Sequence, residues 1–521
     1  MAERTDQSGV PPFELEEITI GALQEQLRSG QQTAQRLVAL YLERIDAIDQ
    51  RGPAINQIIE LNPDALEIAR QLDEERAAGH LRGPLHGIPI LLKDNIATLD
   101  RTATTAGSLA LIGAVPPCEA PLVTRLREAG AILLGKTNMS EWANFRSTHS
   151  SSGWSGRGGQ TRNPYALDRS PSGSSSGSGG AIAANLAAVA VGTETDGSIL
   201  SPSAANSLVG IKPTLGLISR TGIIPIAHSQ DTAGPMARTV RDAAILLSAL
   251  VSADAADPAT QAEGRQVHAD YTPFLDLEGL KGARIGIARK KFFGYSRATD
   301  AVAEAAIAAM KEAGAVLIDP ADLPTAGDFN DSEMEVLLYE FKADLNRYLA
   351  ALGPKSPVRS LKDVIAFNER NCATEMPFFG QEILQMAQRK GPLTSKTYLK
   401  ALEKNHRLSR DEGIDGVMVA NHLDAIFAPT GGPPWPIDLV NGDHYPGSST
   451  TPAAVAGYPS ITVPAGYYHG LPIGVSFFGR AWTEPTLLRI AYAFEQVTRV
   501  RRPPTFAPTA PFPALGRPNR D

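Results

Sequence analysis

A chain of 521 residues, 43% apolar and 20% charged, is long enough to bury a large core and has the mix of a globular protein. Its net charge of −7, with no basic run interleaved with aromatics, argues against binding along a nucleic-acid backbone. Two cysteines exclude a disulfide framework and a four-cysteine zinc site, and the nine histidines form no H-x-x-x-H or H-E-x-x-H pattern, so a helix-borne metal site has no support.

Residues 1–14 are polar, contain Pro11-Pro12 and read as a disordered or extended tail. They hold no apolar h-region, and no run of 18 uncharged apolar residues follows, so the expectation is a cytoplasmic protein without a membrane segment. Thr19 can cap a helix carrying Leu23 and Leu27 that ends at Ser29-Gly30. Thr33 starts a longer one with Leu37, Tyr41, Ile45 and Ile48 on one face. From about residue 84 short apolar strands alternate with helices. Residues 87–92 read as a buried strand, 121–129 as an amphipathic helix stopped by Gly130, and 131–134 as the next strand. The same helix–Gly–strand order returns at 301–313, Gly314 and 315–318, with a further strand at 424–428. This succession predicts one large α/β domain over 15–505, a mixed β-sheet core flanked by helices on both faces. Residues 320–415, helical and charged, read as an insertion on that sheet, and 506–521 as a Pro-rich C-terminal tail.

Residues 170–180 are Ser-Pro-Ser-Gly-Ser-Ser-Ser-Gly-Ser-Gly-Gly, and Gly192-Thr-Glu-Thr-Asp-Gly-Ser198 follows after a small apolar helix. By composition alone a Ser/Gly stretch is a flexible linker; its apolar flanks place it instead inside the core. There glycines let the backbone approach a ligand, and successive N–H groups can converge on a developing negative charge. Hydroxyls serve as nucleophile or proton relay once a base is in reach. Lys93 ends the apolar run 88–92. It reads either as a strand-end lysine reaching for water, or as a desolvated amine whose pKa falls below the usual ~10.4 and which acts as a base. Gly173-Ser-Ser175-Ser-Gly177 also matches G-x-S-x-G, with Ser175 as nucleophile of a Ser–Asp–His triad, yet loop precedes it where an elbow requires a strand.

In chain order, Gly87-Ile-Pro-Ile-Leu-Leu-Lys93-Asp-Asn95, Thr104-Thr-Ala-Gly-Ser108 and Gly135-Lys-Thr-Asn-Met139 lead to the Ser/Gly loop and its downstream serine. Gly210-Ile-Lys-Pro-Thr214, Ser229-Gln-Asp-Thr-Ala-Gly-Pro-Met-Ala-Arg238, and Gly457-Tyr-Pro-Ser-Ile-Thr-Val-Pro with Gly470-Leu-Pro-Ile-Gly474 follow. Together they resemble the amidase signature family over about residues 15 to 505. The resemblance implies the amidase signature fold, no cofactor, and a Ser-cisSer-Lys triad. Lys93 would be the base, Ser174 the bridging serine held after a cis peptide bond, and Ser198, 24 residues on, the nucleophile. The backbone N–H groups of Thr195, Asp196, Gly197 and Ser198 would form the oxyanion hole. Serines stand at two usual glycine positions of the loop 172–177, Asp196 replaces a glycine, and Leu200 a common arginine.

Ile59-Glu-Leu-Asn-Pro-Asp-Ala-Leu66, Ser140-Glu-Trp-Ala-Asn-Phe-Arg146, Gly158-Gly-Gln-Thr-Arg-Asn-Pro164 and Leu338-Tyr-Glu-Phe-Lys-Ala343 look like the peptide amidases within that family. That likeness implies release of ammonia from peptide C-terminal amides through a Ser198 acyl-enzyme. The expected partner is a small-molecule or peptide amide substrate, with no nucleic acid and no membrane, and the expected state is a monomer or homodimer. The alternatives are a general aliphatic or aryl amidase, the glutamine-hydrolysing component of a tRNA-dependent amidotransferase, and a binding protein that keeps the fold without the reaction. His86 reads as a packed loop residue, His228 as a structural partner of Asp231, and Glu194 as a brace for the loop. Trp142, Phe145 and Trp154 read as core or pocket lining.

Overall fold

The structure, a computed structural model, describes residues 10–512, so 1–9 and 513–521 of the two expected tails lie outside the described residues. Thr19 accepts the N–H of Ala22 ahead of the helix Ile20–Ser29, which Gly30 closes in the left-handed conformation. Thr33 does the same for Ala34–Arg44 through Arg36. Both helices bury the predicted leucines and Tyr41.

The strands in chain order are β1 Ile58–Leu61, β2 Pro89–Lys93, β3 Ile132–Thr137, β4 Trp154–Ser155, β5 Gly159–Gln160, β6 Val189–Glu194 and β7 Val209–Lys212. They continue with β8 Thr232–Ala237, β9 Arg284–Ile287, β10 Val316–Ile318, β11 Ala425–Pro429, β12 Ser460–Tyr468 and β13 Leu471–Phe478. All except the β4–β5 pair join one 11-stranded sheet in the order β1-β3-β2-β6-β8-β7-β12-β13-β11-β9-β10. β2 runs parallel to β3 and β6, and β9 parallel to β10 and β11. The remaining pairs are antiparallel, so the sheet is mixed as expected. Central strands such as β2, β3 and β6 are buried along their whole length, which is why they read as near-continuous apolar runs. Helices Val240–Leu250, Arg297–Glu312 and Glu484–Thr498 cover one face, and Ser176–Ala183 and Leu200–Ala205 pack against the other.

Within 320–415 the chain is helical, and its longest helix, Asn330–Ala351, buries Val336, Phe341, Leu345 and Leu349. Phe145 meets Phe341 edge-on at 5.1 Å, and Trp142 shares the same cluster. The insertion is therefore seated on the loops that hold the polar site, and these aromatics are core. The Pro-rich stretch differs from its reading as a tail as far as residue 512. Phe506 and Ala510 are buried, the Phe506 N–H donates to Pro164 O, and the Leu167 N–H donates to Ala507 O. Prolines prevent a ladder there, but the apolar residues between them still find grooves to fill. Among the described residues no helix is long and apolar enough to cross a membrane.

Candidate active site

Lys93 is the last residue of β2 and is fully buried between β3 and β6. Its Nζ lies 2.7 Å from Ser174 Oγ, 2.9 Å from Thr193 Oγ1 and 3.1 Å from Thr193 O. Asn95 Nδ2 also donates to Thr193 Oγ1. A carbonyl oxygen can only accept. A neutral amine that gives its two protons to Thr193 thus turns its lone pair toward the Ser174 hydroxyl. Burial pushes the Lys93 pKa down to about 7, against the opposing pull of Glu194 and Asp231. The ammonium does not snorkel to water.

Ser174 sits in the loop leading into the helix Ser176–Ala183, after a cis peptide bond from Gly173. The loop lies so close to its neighbours that a Cβ on Gly177 would fall 2.4 Å from both Asn138 O and Gln57 O. Ser174 O accepts the Ser140 N–H, and the Ser175 N–H donates to Ser198 O at 3.2 Å, so Ser198 is tied to the residue following Ser174. Ser175 donates its hydroxyl to Thr193 O and accepts the Thr193 N–H. No histidine among the described residues bonds to it. The nucleophile-elbow reading therefore lacks its base.

Beyond β6 the chain turns sharply through Gly197, whose φ of +79° favours glycine and whose Cβ would meet Ser201 Oγ and Thr450 Oγ1 at 3.0 Å. Ser198 then enters the helical turn that continues as Leu200–Ala205. Glu194 Oε2 accepts the N–H groups of Ile199 and Leu200 at 2.7 and 2.9 Å, satisfying the first donors of that helix. Burial raises the Glu194 pKa, while Lys212 and these N–H groups pull it back. Asp196 receives the hydroxyls of Thr450 and Thr451 at 2.6 and 2.7 Å, so both its oxygens are occupied by protein. No described residue accepts the backbone N–H groups of Asp196, Gly197 or Ser198, and none bonds the Ser198 hydroxyl, which sits at a position 8% exposed. The Ser198 hydroxyl and these N–H groups thus lie in one turn, which the Ser175 N–H ties to the loop that carries Ser174.

His228 does not pair with Asp231. Its Nδ1 lies 2.7 Å from Asp344 and its Nε2 3.3 Å from Glu340, both on the helix Asn330–Ala351. Asp231 faces inward instead, taking the Thr195 hydroxyl and the N–H groups of Ile226 and Ala227. His228, Glu340 and Asp344 bring ligand-type atoms within 4.8 Å of one another. Glu340, however, already accepts from the Tyr398 hydroxyl and the Ser229 N–H, so the trio works as a clamp between loop and helix. His86 is buried with Nε2 against Leu72 O, as a packed residue. Sequence reasoning missed Gln230, which donates to both Thr195 O and Glu333 Oε1, because Glu333 lies 103 residues away. A cavity of about 600 Å³ lined by Arg220, His228, Asp231, Asp344 and Tyr348 touches this site through Asp231; Ser198 does not line it.

The sequence profile of the family described as Amidase matches residues 36–488. A probable amidase of Arabidopsis thaliana is 44% identical over 503 residues, 95% of this chain and 92% of that protein. A glutamyl-tRNA(Gln) amidotransferase component from Moorella thermoacetica is 35% identical, covering 94% of this chain and 98% of its own. The solved peptide amidase of Stenotrophomonas maltophilia superposes with a TM-score of 0.91 at 53% identity, over 95% of this chain and 100% of that one. With the profile match over most of the chain and relatives of this identity and coverage, the chain belongs to the amidase signature family of amide-hydrolysing enzymes.

Proposed function

We propose that this protein hydrolyses carboxamide C–N bonds through an acyl-enzyme on Ser198, acting on peptide C-terminal amides and releasing ammonia. The carrying observation is the buried Lys93 amine 2.7 Å from Ser174 Oγ, with Ser198 tied through its carbonyl to the N–H of Ser175. Neutral Lys93 takes the Ser174 proton while Ser174 Oγ takes that of Ser198, whose oxygen attacks the amide carbon. The resulting oxyanion is met by the N–H groups of Thr195, Asp196, Gly197 and Ser198, each well-placed donor contributing about 3–4 kcal/mol. As the C–N bond breaks, the proton returns through Ser174 to the nitrogen and ammonia leaves. Water then attacks the ester and loses a proton along the same relay. The acid product departs and the Ser198 hydroxyl is restored.

The peptide reading is supported by the likeness to a peptide amidase over that enzyme's whole length, which exceeds the likeness to the amidotransferase component. The test is ammonia release from a panel of peptide carboxamides and simple aliphatic or aryl amides, with Ser198→Ala beside the wild type and a chelator in parallel. Release from peptide amides, lost in the variant and indifferent to chelator, is the expected result. Release from simple amides alone overturns the substrate assignment. Activity surviving in Ser198→Ala overturns the acyl-enzyme.

A further inference from the structure

The segment between β11 and β12 crosses the serine-rich loop as an anchored strap. The Ser170 N–H donates to Trp435 O at 2.8 Å, and Trp435 Nε1 donates to Asp443 at 2.9 Å. Asp443 in turn takes the Ser152 N–H and hydroxyl, and Gly431 bridges back to Ser448. From this strap Tyr445 stands out. Its ring meets the Trp435 ring edge-on at 5.2 Å, and its hydroxyl lies 3.1 Å from Ser201 Oγ. Ser201 is three residues beyond Ser198 in the same helical turn, its N–H bonded to Gly197 O at 2.7 Å. A Cβ on Gly197 would fall 3.0 Å from Ser201 Oγ, so Ser201 and the Tyr445 hydroxyl stand against the turn that carries Ser198.

Tyr445 nevertheless leaves 45% of its surface exposed although its polar end is engaged. An aromatic ring fixed at one edge by Trp435 and at its tip by a hydrogen bond is a rigid apolar surface that loses little entropy when a ligand covers it. Trp435, buried behind it, supplies the backing. The proton relay has no use for this ring. Resting on the assignment of Ser198 as nucleophile, we infer that the Tyr445 ring forms a wall of the acyl subsite. It contacts the side chain of the residue that carries the carboxamide and favours aromatic or long apolar side chains there.

The experiment compares kcat/KM of the wild type, Tyr445→Ala and Tyr445→Phe on two peptides that differ only in ending with phenylalaninamide or glycinamide. Phenylacetamide and acetamide run as a second pair. The alanine variant is expected to lower the aromatic-to-small ratio about tenfold, through KM, while the phenylalanine variant, which keeps the ring, holds it within about threefold. An unchanged ratio in Tyr445→Ala, an equal loss on both members of a pair, or a ratio in Tyr445→Phe as low as in Tyr445→Ala overturns the assignment. If peptides are not hydrolysed, the simple-amide pair still decides it, separately from the peptide reading. Absence of turnover on every amide overturns the Ser198 assignment and this wall with it.

Discussion

The Thr195 hydroxyl donates to Asp231 Oδ1 across 2.6 Å, joining the turn before Ser198 to the loop that carries His228. Asp231 Oδ2 takes the N–H groups of Ile226 and Ala227 at 2.8 and 2.9 Å, so one carboxyl spans both segments. Burial pushes its pKa up to about 6, with Thr195 and the two N–H groups pulling it back. Asp231→Ala releases all three donors and lets the turn drift. We expect kcat/KM to fall about a hundredfold, the usual consequence of a displacement near 1 Å at reacting groups. Unchanged kinetics in a folded variant would contradict this.

The pH profile should report Lys93. Only the neutral amine accepts a proton, so kcat/KM is expected to rise about tenfold per pH unit and to level off above pH about 7. The sign follows from burial lowering the pKa of a base. An inflection at the ordinary lysine value would show that the amine is not desolvated in solution, and Lys93→Ala should remove both the activity and the limb.

Glu194 supports the helix that follows Ser198. Glu194→Ala leaves the Ile199 and Leu200 N–H groups without their acceptor, and a loss of about 1–2 kcal/mol is expected in denaturant unfolding. Glu194→Gln retains an acceptor oxygen and should lose less. A larger loss in the glutamine variant would show that charge rather than capping is what matters.

Gly197→Ala places a Cβ 3.0 Å from two hydroxyl oxygens at a left-handed backbone position. The conformational term alone is about 1–2 kcal/mol, and kcat should drop far more than KM rises, because the N–H groups of the turn are re-aimed. Parallel kinetics and thermal unfolding check it; a variant with wild-type kcat would mean the turn tolerates a side chain.

His228 offers a stability test. Burial by itself would lower its pKa, but the hydrogen bond to Asp344 and the charges of Glu340 and Asp344 outweigh burial and raise it. A raised folded value means the clamp stabilises fully below the unfolded value, near pH ~6.5, and fades as pH climbs through the folded one. The gap in unfolding midpoint between wild type and His228→Gln is therefore expected to be widest on the acid side and to close toward alkaline pH. A gap independent of pH would assign His228 a packing role only.

The predicted elements that held are those set within a few residues. Thr19 and Thr33 cap helices, Gly30 ends one, and the apolar run before Lys93 is a buried strand, because capping and burial periodicity are short-range. The ordered motifs also pointed to the family and to Lys93, Ser174 and Ser198, since each motif marks a strand end or turn at a set separation. Tertiary structure alone decided what those side chains face. Lys93 is a buried amine and not a snorkelling one because Thr193 and Ser174 close around it. His228 turned to Asp344 on a helix 116 residues away, and Asp196 to Thr450 across 254 residues. Phe506 and Ala510 of the Pro-rich stretch are buried against the body. Which partner a polar side chain meets depends on the strand order that brings distant segments together, and no local pattern of residues carries that order.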